Sequence, residues 1–257
     1  MSSPTSPDGR LASDARVCLI TGATRGIGLA TAGTLAEAGY ALAVHGRTAE
    51  AAERTASELA DKYGVVTVAV AGDVADPAAV QSFLRAAFER FGRLDALVIN
   101  AGVHAAAPLG LLGATDIERL FAVNAAGAAH TLNTAVRLLR RGSAPAVVLL
   151  SSVMGQRGGA GQAVYAATKA AIAGLAVAAA KELGPAGIRV NAVAPGYIET
   201  ELLSSLDGVG RSASIAATPL GRFGEATDVA DAIAFLLSDR ASFITGQVLA
   251  VDGGLIL

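Results

Sequence analysis

The chain has 257 residues, of which 53% are hydrophobic and 16% charged, and 30 of them are glycine. This composition excludes a disordered chain, and the length favours one large α/β domain over two. A net charge of −2 gives no basic surface for nucleic acid, and a single cysteine with three histidines outside any paired spacing predicts no metal site.

The first fourteen residues differ from the rest of the chain. Residues 1–14 are polar and rich in Ser and Pro, without the apolar segment of a signal peptide. We predict that they form a disordered tail before a single domain, residues 15–257. The longest apolar run, 170–180, is much shorter than the ~20 residues that span a bilayer. The sequence therefore predicts a soluble cytoplasmic protein with no membrane partner.

Short apolar runs alternate with helical patterns along the whole chain. Helical stretches are predicted over 26–38 and 48–62, and Asp76 with Pro77 suits the N-cap and first position of another helix. The predicted strands are 16–21, 40–45, 65–71, 94–99, 146–150, 189–193 and 247–251. This alternation predicts an α/β, single-domain Rossmann-type fold, a doubly wound parallel β-sheet with helices on both faces.

One segment breaks the alternation. Residues 196–218 show no clear period and contain several glycines and serines. Loops of this length within a compact domain are usually functional. We expect this segment to be irregular and to form a lid over the substrate.

The first strand leads into a glycine-rich turn, TGATRGIG at 21–28. Gly22 permits a tight turn, and Gly26 and Gly28 let a phosphate reach the backbone amides while the helix packs on the sheet. The helix N-terminus favours a pyrophosphate, and the absence of a following Lys excludes a nucleoside-triphosphate P-loop. An ordinary glycine-rich turn is the alternative interpretation.

The end of the second strand bears on the choice of dinucleotide. NAD-binding strands usually place Asp or Glu here to hold the ribose 2′-hydroxyl. In this chain Gly46 takes the acidic position, Arg47 follows it, and Arg25 supplies a second cation from the glycine-rich turn. Two guanidinium groups suit a 2′-phosphate, although both arginines could instead be solvated surface residues. We therefore predict NADP(H) rather than NAD(H).

Polar residues also follow the third and fourth strands. Asp73 either accepts a hydrogen bond from an adenine amino group or serves only as a turn residue before Pro77. Asn100-Ala-Gly102 follows the fourth strand at the carboxyl edge, where open α/β sheets bind ligands.

Four residues have the chemistry of a catalytic site. Tyr165 and Lys169 are spaced i and i+4 and share one helical face. Ser152 follows a strand thirteen residues before Tyr165, and Asn124 lies in the long helix after the fourth strand. A YxxxK pair alone arises by chance in many helices. Its combination, in this order, with the glycine-rich turn and the Asn-Ala-Gly motif is very hard to obtain by chance.

These motifs together resemble the short-chain dehydrogenase/reductase superfamily over roughly residues 16–257. The resemblance rests on the glycine-rich turn, Asp73, Asn100-Ala-Gly102, Asn124, Ser152, the Tyr165/Lys169 pair and PGYIET at 195–200. The C-terminal third, with PLGRFG at 219–224 and ITGQVLAVDGG at 244–254, is similar to the 3-oxoacyl-[acyl-carrier-protein] reductases.

The resemblance implies reduction of a ketone to a secondary alcohol by a catalytic tetrad. Tyr165 would be the general acid, with a phenol pKa lowered by ~2–3 units by Lys169 and the oxidised nicotinamide. Lys169 would also hold the nicotinamide ribose, and Ser152 would donate a hydrogen bond to the carbonyl oxygen. Asn124 would anchor a water that links Lys169 to solvent.

The resemblance also implies a cofactor site built from the ends of the strands. Pro195 and Gly196 would line the nicotinamide pocket, and Thr200 would contact the cofactor amide or phosphate. The complete predicted set is Gly22, Thr24, Arg25, Gly26, Ile27, Gly28, Gly46, Arg47, Asp73, Val74, Asn100, Ala101, Gly102, Tyr165, Lys169, Pro195, Gly196, Ile198 and Thr200.

The substrate is predicted from charge. Carrier-protein reductases of this family have basic residues at positions that correspond to Ala186 and Ser143 here, although Arg140 and Arg141 are close. Because an acidic carrier is steered electrostatically, we predict a free or coenzyme-linked small ketone rather than a carrier-bound one.

Two other functions and an assembly remain to be tested. An NAD-linked secondary-alcohol or sugar dehydrogenase and a non-catalytic nucleotide-sensing scaffold are the alternatives to an NADP-dependent reductase. Members of the family usually form tetramers through the helices after strands four and five and the C-terminal region. The alanine-rich run 170–180 and the apolar end 254–257 therefore predict a homotetramer.

Overall fold

The computed structural model describes residues 15–199 and 208–255, in which strands and helices alternate. The strands are β1 Val17–Thr21, β2 Ala41–Gly46, β3 Thr67–Ala71, β4 Ala96–Ile99, β5 Ala146–Leu150, β6 Arg189–Pro195 and β7 Val248–Val251. The helices are α1 Gly26–Glu37, α2 Ala49–Tyr63, α3 Pro77–Phe91, α4 Ala114–Leu120, α5 Gly127–Leu139, α6 Val153–Arg157, α7 Ala163–Leu183, α8 Gly208–Ala216 and α9 Ala226–Leu237. The predicted tail, 1–14, lies outside the described residues.

The strands form one parallel sheet in the order β3-β2-β1-β4-β5-β6-β7. The order reverses between β1 and β4, where Thr21 is in register with Ile99. The two strands therefore end side by side at the carboxyl edge, and this is the switch point at which open α/β sheets bind ligands. The fold predicted from the sequence is confirmed.

Apolar side chains bury both faces of the sheet. Val80 and Phe83 of α3, with Ile172 of α7, belong to the core on one face. Leu35 of α1 and Ile233 of α9 belong to the core on the other. Strands covered on both faces carry continuous apolar runs, which is why the sequence showed them as short hydrophobic segments.

The predicted start of α3 is confirmed in detail. Asp76 is the N-cap, its Oδ1 accepts a hydrogen bond from the Ala78 amide at 2.9 Å, and Pro77 occupies the first turn. The carboxylate thereby satisfies one of the amides that a helix start leaves unpaired.

Two elements differ from their sequence predictions. The single long helix expected after β4 is interrupted by a π-helical turn, Phe121–Ala126, between α4 and α5. There a Cβ on Gly127 would lie 2.9 Å from the Val74 carbonyl oxygen, so the chain passes very close to the loop after β3. The segment expected to be irregular contains α8, whose Ser212 hydroxyl donates to the Gly208 carbonyl oxygen at 2.9 Å.

Helix α7 with the turn after it, 163–186, is the one described helix long and apolar enough to cross a membrane by length and composition. Its buried residues include Lys169 and Ile172, and Ile172 packs in the core against the sheet. The share of the apolar stretch that is buried within the described residues is 33%, so packing in the core explains one face of this helix and not the other.

Candidate active site

Asn100 ties together the ends of β1 and β4. Its Nδ2 donates to the carbonyl oxygens of Thr21 and Gly22 at 3.0 and 2.9 Å. In return Thr21 Oγ1 accepts hydrogen bonds from the amides of Asn100 and Ala101 at 3.0 and 3.1 Å. Within the chain, the Asn100 side chain therefore holds the glycine-rich turn in place.

The glycine-rich turn has the tight geometry of a phosphate cradle. Gly22 has φ +64°, and a Cβ on Gly28 would lie 2.1 Å from the Gly22 carbonyl oxygen and 2.5 Å from Asn100 Nδ2. Only glycine at position 28 lets α1 start this close to the turn. Arg25, the N-cap of α1, makes no side-chain capping hydrogen bond, so the first amides of the helix suit an anionic group, and the pyrophosphate contact stays a prediction.

The end of β2 is tightly packed around the position that a Cβ on Gly46 would take. A Cβ on Gly46 would lie 3.0 Å from Thr24 Cγ2 and 3.2 Å from the Ala52 amide nitrogen. Arg25 and Arg47 are both exposed. This arrangement is compatible with a 2′-phosphate, and the contacts of both arginines with a cofactor stay predictions.

In the loop after β3, Asp73 has the turn role that was one of its two predicted roles. Asp73 Oδ1 accepts a hydrogen bond from the Ala75 amide at 2.9 Å, which makes it a turn residue. Its contact with adenine is not tested by this geometry. Val74 is buried beside Gly127 and connects this loop to the π-helical turn.

Lys169 lies in a buried position at the end of β5. Its Nζ donates to the Leu150 carbonyl oxygen at 2.8 Å, and its own carbonyl oxygen accepts from the Ser151 hydroxyl at 2.8 Å. Burial lowers the pKa of the Lys169 ammonium to about 8 because the charged form loses its hydration.

Tyr165 lies beside Lys169 and Ser152, with Lys169 Nζ 5.9 Å from the centroid of its ring. Burial raises the pKa of the Tyr165 phenol, and the hydrogen bond from the Ser152 hydroxyl lowers it by less. In the chain alone the shift is thus opposite to the lowered pKa that the sequence analysis expected. Desolvation of the phenolate outweighs the favourable contacts.

Asn124 and Lys169 meet across Gly102. Asn124 Oδ1 accepts from the Val103 amide at 2.8 Å, and its Nδ2 donates to the Val103 carbonyl oxygen and Thr168 Oγ1 at 2.9 and 3.1 Å. A Cβ on Gly102 would lie 3.2 Å from Asn124 Oδ1 and 3.5 Å from Lys169 Nζ. The tetrad predicted from the sequence is therefore brought together, while its water-binding role stays a prediction.

The expected nicotinamide end follows β6. Pro195 is the last residue of that strand, and a Cβ on Gly196 would lie 2.8 Å from the Cα of Asp252. Ile198 is buried and forms an isolated bridge with Gly224. Thr200 lies outside the described residues, so its cofactor contact is not tested.

Some polar residues at the site were not predicted from the sequence. His104 Nε2 lies 2.9 Å from Gln162 Oε1, and the His104 ring stands edge-on to the Tyr165 ring at 4.7 Å between centroids. Buried His45 accepts a hydrogen bond from the Gly22 amide, and buried Thr21 accepts hydrogen bonds from the amides of Asn100 and Ala101. These roles depend on contacts between distant segments, and none has a characteristic spacing along the chain.

The two positions used to argue about a carrier protein lie far from Tyr165 in the same chain. The Ser143 amide donates to Asp95 Oδ1 at 2.6 Å, next to the start of β4, at the amino edge of the sheet. Ala186 lies past the end of α7, whereas Tyr165 is in its first turn. At 1.5 Å per residue this separation is about 30 Å. The lack of basic side chains at Ala186 and Ser143 therefore says nothing about the rim of the chain's own pocket.

Comparisons with known proteins identify the family to which the chain is similar. A family model described as "Enoyl-(Acyl carrier protein) reductase" matches residues 22–256. The chain is 40% identical over 240 residues to a 3-oxoacyl-[acyl-carrier-protein] reductase of Staphylococcus aureus, covering 93% of this chain and 97% of that protein. It is 42% identical over 240 residues to the cis-4-hydroxycyclohexanecarboxylate dehydrogenase of Sinomonas cyclohexanicum, covering 93% and 96%.

A solved structure described as a short-chain alcohol dehydrogenase of Sinorhizobium meliloti superposes with a TM-score of 0.89. It is 36% identical to this chain, and the match covers 96% of this chain and 98% of that one.

Proposed function

The chain belongs to the short-chain dehydrogenase/reductase family of oxidoreductases, and we propose that it is an NADPH-dependent reductase that converts a ketone to a secondary alcohol. The observation that carries the proposal is the position of buried Lys169 beside Tyr165 and Ser152, at the sheet edge where the glycine-rich turn begins. An acid, its positioning groups and a phosphate cradle at one edge are the parts that carbonyl reduction requires.

The residues present fit a nicotinamide dinucleotide. The close approach of Gly28 to Gly22 forms the cradle for the pyrophosphate, and the closely packed Gly196 leaves the end of β6 free of a side chain. When bound, the cofactor supplies the hydride that reduces the carbonyl carbon. The exposed Arg25 and Arg47, with no acid at Gly46, support NADPH as that cofactor.

The chain's own residues supply the proton for the carbonyl oxygen. Tyr165 donates its phenolic proton to the carbonyl oxygen as the alcohol forms, and the Ser152 hydroxyl donates a hydrogen bond to the same oxygen as charge develops. The Lys169 ammonium favours the phenolate that remains, and its bond to Leu150 fixes its position. Asn124 has no ionisable group and donates no proton. Its side chain holds the loop that starts at Val103 near Lys169.

Tyr165 can serve either direction of the reaction. Burial raises the pKa of its phenol in the chain alone, and the protonated phenol is the acid that ketone reduction needs. Oxidation of an alcohol needs the phenolate, which the Lys169 ammonium and an oxidised nicotinamide favour.

An alcohol dehydrogenase acting in the oxidative direction is the second candidate. The relative from Sinomonas cyclohexanicum, named for a ring alcohol that carries a carboxylate, favours it. The third reading, a non-catalytic nucleotide-sensing scaffold, is opposed by the presence of Asn124, Ser152, Tyr165 and Lys169 together in one site.

The assembly and location are part of the same proposal. The exposed face of α7 is apolar for five turns, with Val177 38% exposed, which supports a homotetramer in which this face is covered. We further propose that the protein acts in the cytoplasm on a small carbonyl or alcohol substrate, without nucleic-acid or membrane partners.

The test is turnover of a panel of ketones with NADPH and of alcohols with NADP⁺ or NAD⁺, followed by NADPH or NADH absorbance. We expect ketone reduction with NADPH to be fastest. Tyr165→Phe should lower kcat by about 10²–10⁴-fold, the usual contribution of general acid catalysis, and leave cofactor binding within about twofold. Tyr63→Phe, in α2, is the matched control and should keep parental turnover. Parental turnover in Tyr165→Phe would contradict the assignment of the acid.

A further inference from the structure

His45, near the end of β2, is a buried histidine that the proposed reaction does not use. Only 2% of it is exposed. Its Nδ1 accepts a hydrogen bond from the Gly22 amide at 3.1 Å, and its Nε2 lies 3.1 Å from the Gly72 carbonyl oxygen. An amide can only donate and a carbonyl can only accept, so this pairing fixes the neutral tautomer with the proton on Nε2.

The two partners belong to two different cofactor loops. Gly22 is the first glycine of the glycine-rich turn, expected to hold the pyrophosphate, and Gly72 directly precedes Asp73 in the loop expected to meet the adenine. Backbone bonds from Ala23 to the His45 carbonyl oxygen and from Gly72 to that of Gly46 run beside the imidazole. The ring therefore spans β2 and ties the loops after β1 and β3 to each other.

The bridge holds Gly22 in the left-handed region of backbone conformation, which residues other than glycine rarely adopt. Gly22 has φ +64°, and its carbonyl oxygen already accepts from Asn100 Nδ2 at 2.9 Å. The imidazole holds the amide side of the same residue, so both ends of Gly22 are fixed by side chains. A turn fixed before binding does not lose conformational freedom when the dinucleotide arrives.

We propose that His45 is a positioning residue for the dinucleotide, holding the pyrophosphate loop and the adenine loop at a fixed separation through its neutral imidazole. The inference rests on the proposed function, because it assumes that these loops bind a nicotinamide dinucleotide. It assigns no contact between His45 and the cofactor. Its effect belongs to binding of the adenosine half and leaves the proton chemistry at Tyr165 unchanged.

The surroundings keep the bridge intact at working pH. The Phe83 ring of α3 packs against the imidazole with 4.5 Å between centroids. Asp73 is the charged side chain that acts on it, and it favours protonation, but burial has the larger effect and lowers the pKa of His45 to about 4. The glycine-rich turn contributes only backbone to this contact.

Three variants test the bridge. His45→Leu removes both hydrogen bonds and keeps an apolar side chain beside Phe83. His45→Asn places an amide oxygen near the Nδ1 position, so it retains an acceptor for the Gly22 amide without a group that titrates. His130→Leu, in α5, is the matched control because it removes a half-buried histidine from another part of the chain.

The measurements are the Kd values of NADP⁺ and of adenosine 2′,5′-bisphosphate by titration calorimetry at neutral pH, and kcat at saturating NADPH. For His45→Leu we expect both Kd values to rise by about tenfold or more, while kcat changes by less than about twofold. His45→Asn should lie between parent and His45→Leu, at about threefold, and His130→Leu should match the parent.

Other outcomes would contradict either the positioning role of His45 or the proposed function. Parental Kd values in both His45 variants, or kcat and Kd lost together, would overturn the positioning role. If His45→Leu does not fold, a Kd increase in folded His45→Asn with unchanged kcat still supports the bridge, and no increase contradicts it. A parent chain that binds neither ligand would instead contradict the proposed function.

Discussion

Arg47, an exposed residue after β2, is expected to decide cofactor choice. Arg47→Ala should raise the KM for NADPH by about ten- to a hundredfold, since a charge-assisted hydrogen bond contributes about 1.5–3 kcal/mol. The KM for NADH, which has no 2′-phosphate, should change by less than about threefold. Initial rates with both cofactors measure this, with Arg54→Ala in α2 as the control. An equal loss for both cofactors would show that Arg47 does not bind the phosphate.

Gly46 is the position at which an acidic residue would be expected to shift the preference toward NAD. A carboxylate at this position would suit the ribose hydroxyls of NAD. Its Cβ, however, would lie 3.0 Å from Thr24 Cγ2 and 3.2 Å from the Ala52 amide. We expect Gly46→Asp to weaken binding of both dinucleotides through displacement of this turn. We therefore propose that Arg47 and the tight packing at Gly46 together set the cofactor preference.

The residues of the tetrad could be predicted from the sequence because the order of its motifs resembles that of a known family, and helical spacing placed Tyr165 and Lys169 on one face. His45 could not be. Its two partners are 23 and 27 residues away, and their proximity depends on the pairing of β2 with β1 and β3. The pKa of Tyr165 also depends on how deeply the ring is buried, which a YxxxK motif does not reveal.

At the scale of elements, the same bridge should make β2 sensitive to acid. The pKa of His45 falls from 6.5 in the unfolded chain to about 4 in the fold. Between these values the unfolded chain binds more protons, so the free energy of unfolding decreases as the pH falls from 6.5 to 4. The full change is about 3 kcal/mol.

Denaturant unfolding at several pH values checks this expectation. His45→Asn lacks the titrating group, so its stability should fall less than the parent's from pH 6.5 to 4, whereas His130→Leu should follow the parent. Parallel pH profiles for parent and His45→Asn would show that His45 is not held neutral by the fold.

The elements also show where periodicity is informative. Strands such as β5 were located to the residue, because burial on both faces leaves a continuous apolar run. The π-helical turn at Phe121–Ala126 was missed because its cause is tertiary, the contact of Gly127 with Val74 and of Asn124 with Val103. Helix α8 was missed because four of its nine residues are glycine or serine, which are weaker helix formers than alanine or leucine.

At the scale of the whole molecule, α7 presents an uncovered apolar face. The exposed positions of its first five turns carry no charge, and they are Ala163, Ala167, Ala170, Ala171, Gly174, Val177 and Ala178. Small side chains allow another helix to approach closely, so a second copy of α7 is a suitable partner.

Light scattering at micromolar concentration should therefore give the mass of a tetramer. Val177→Glu places a charge in the covered face and should reduce the mass to that of a dimer or monomer, because an unpaired buried charge is costly. Gln81→Glu, on an exposed position of α3, should leave the mass unchanged. A monomeric parent would contradict the assembly.

The assembly bears on whether the substrate arrives on a carrier protein. Arg140 and Arg141 follow α5 at the amino edge of the sheet, and Arg141 stacks on the Phe88 ring at 4.9 Å. Since Tyr165 is at the opposite edge, a carrier docked on these arginines would not reach the active site of the same chain. It would need the site of a neighbouring subunit.

We expect a 3-oxoacyl group on a small thioester to be reduced with a kcat/KM within about tenfold of the same group on its acidic carrier protein, because Arg140 and Arg141 lie at the edge of the sheet opposite Tyr165 and do not steer a carrier to the active site of their own chain. NADPH absorbance measures both rates. The double variant Arg140→Ala/Arg141→Ala should change neither rate, and Arg54→Ala is the control.

A carrier preference of about a hundredfold that high salt or the double variant removes would overturn this expectation. Because those arginines lie at the end of α5, at the edge of the sheet opposite Tyr165, that result would place the docking surface on one subunit and the reduced ketone on its neighbour, and it should disappear with the tetramer in Val177→Glu.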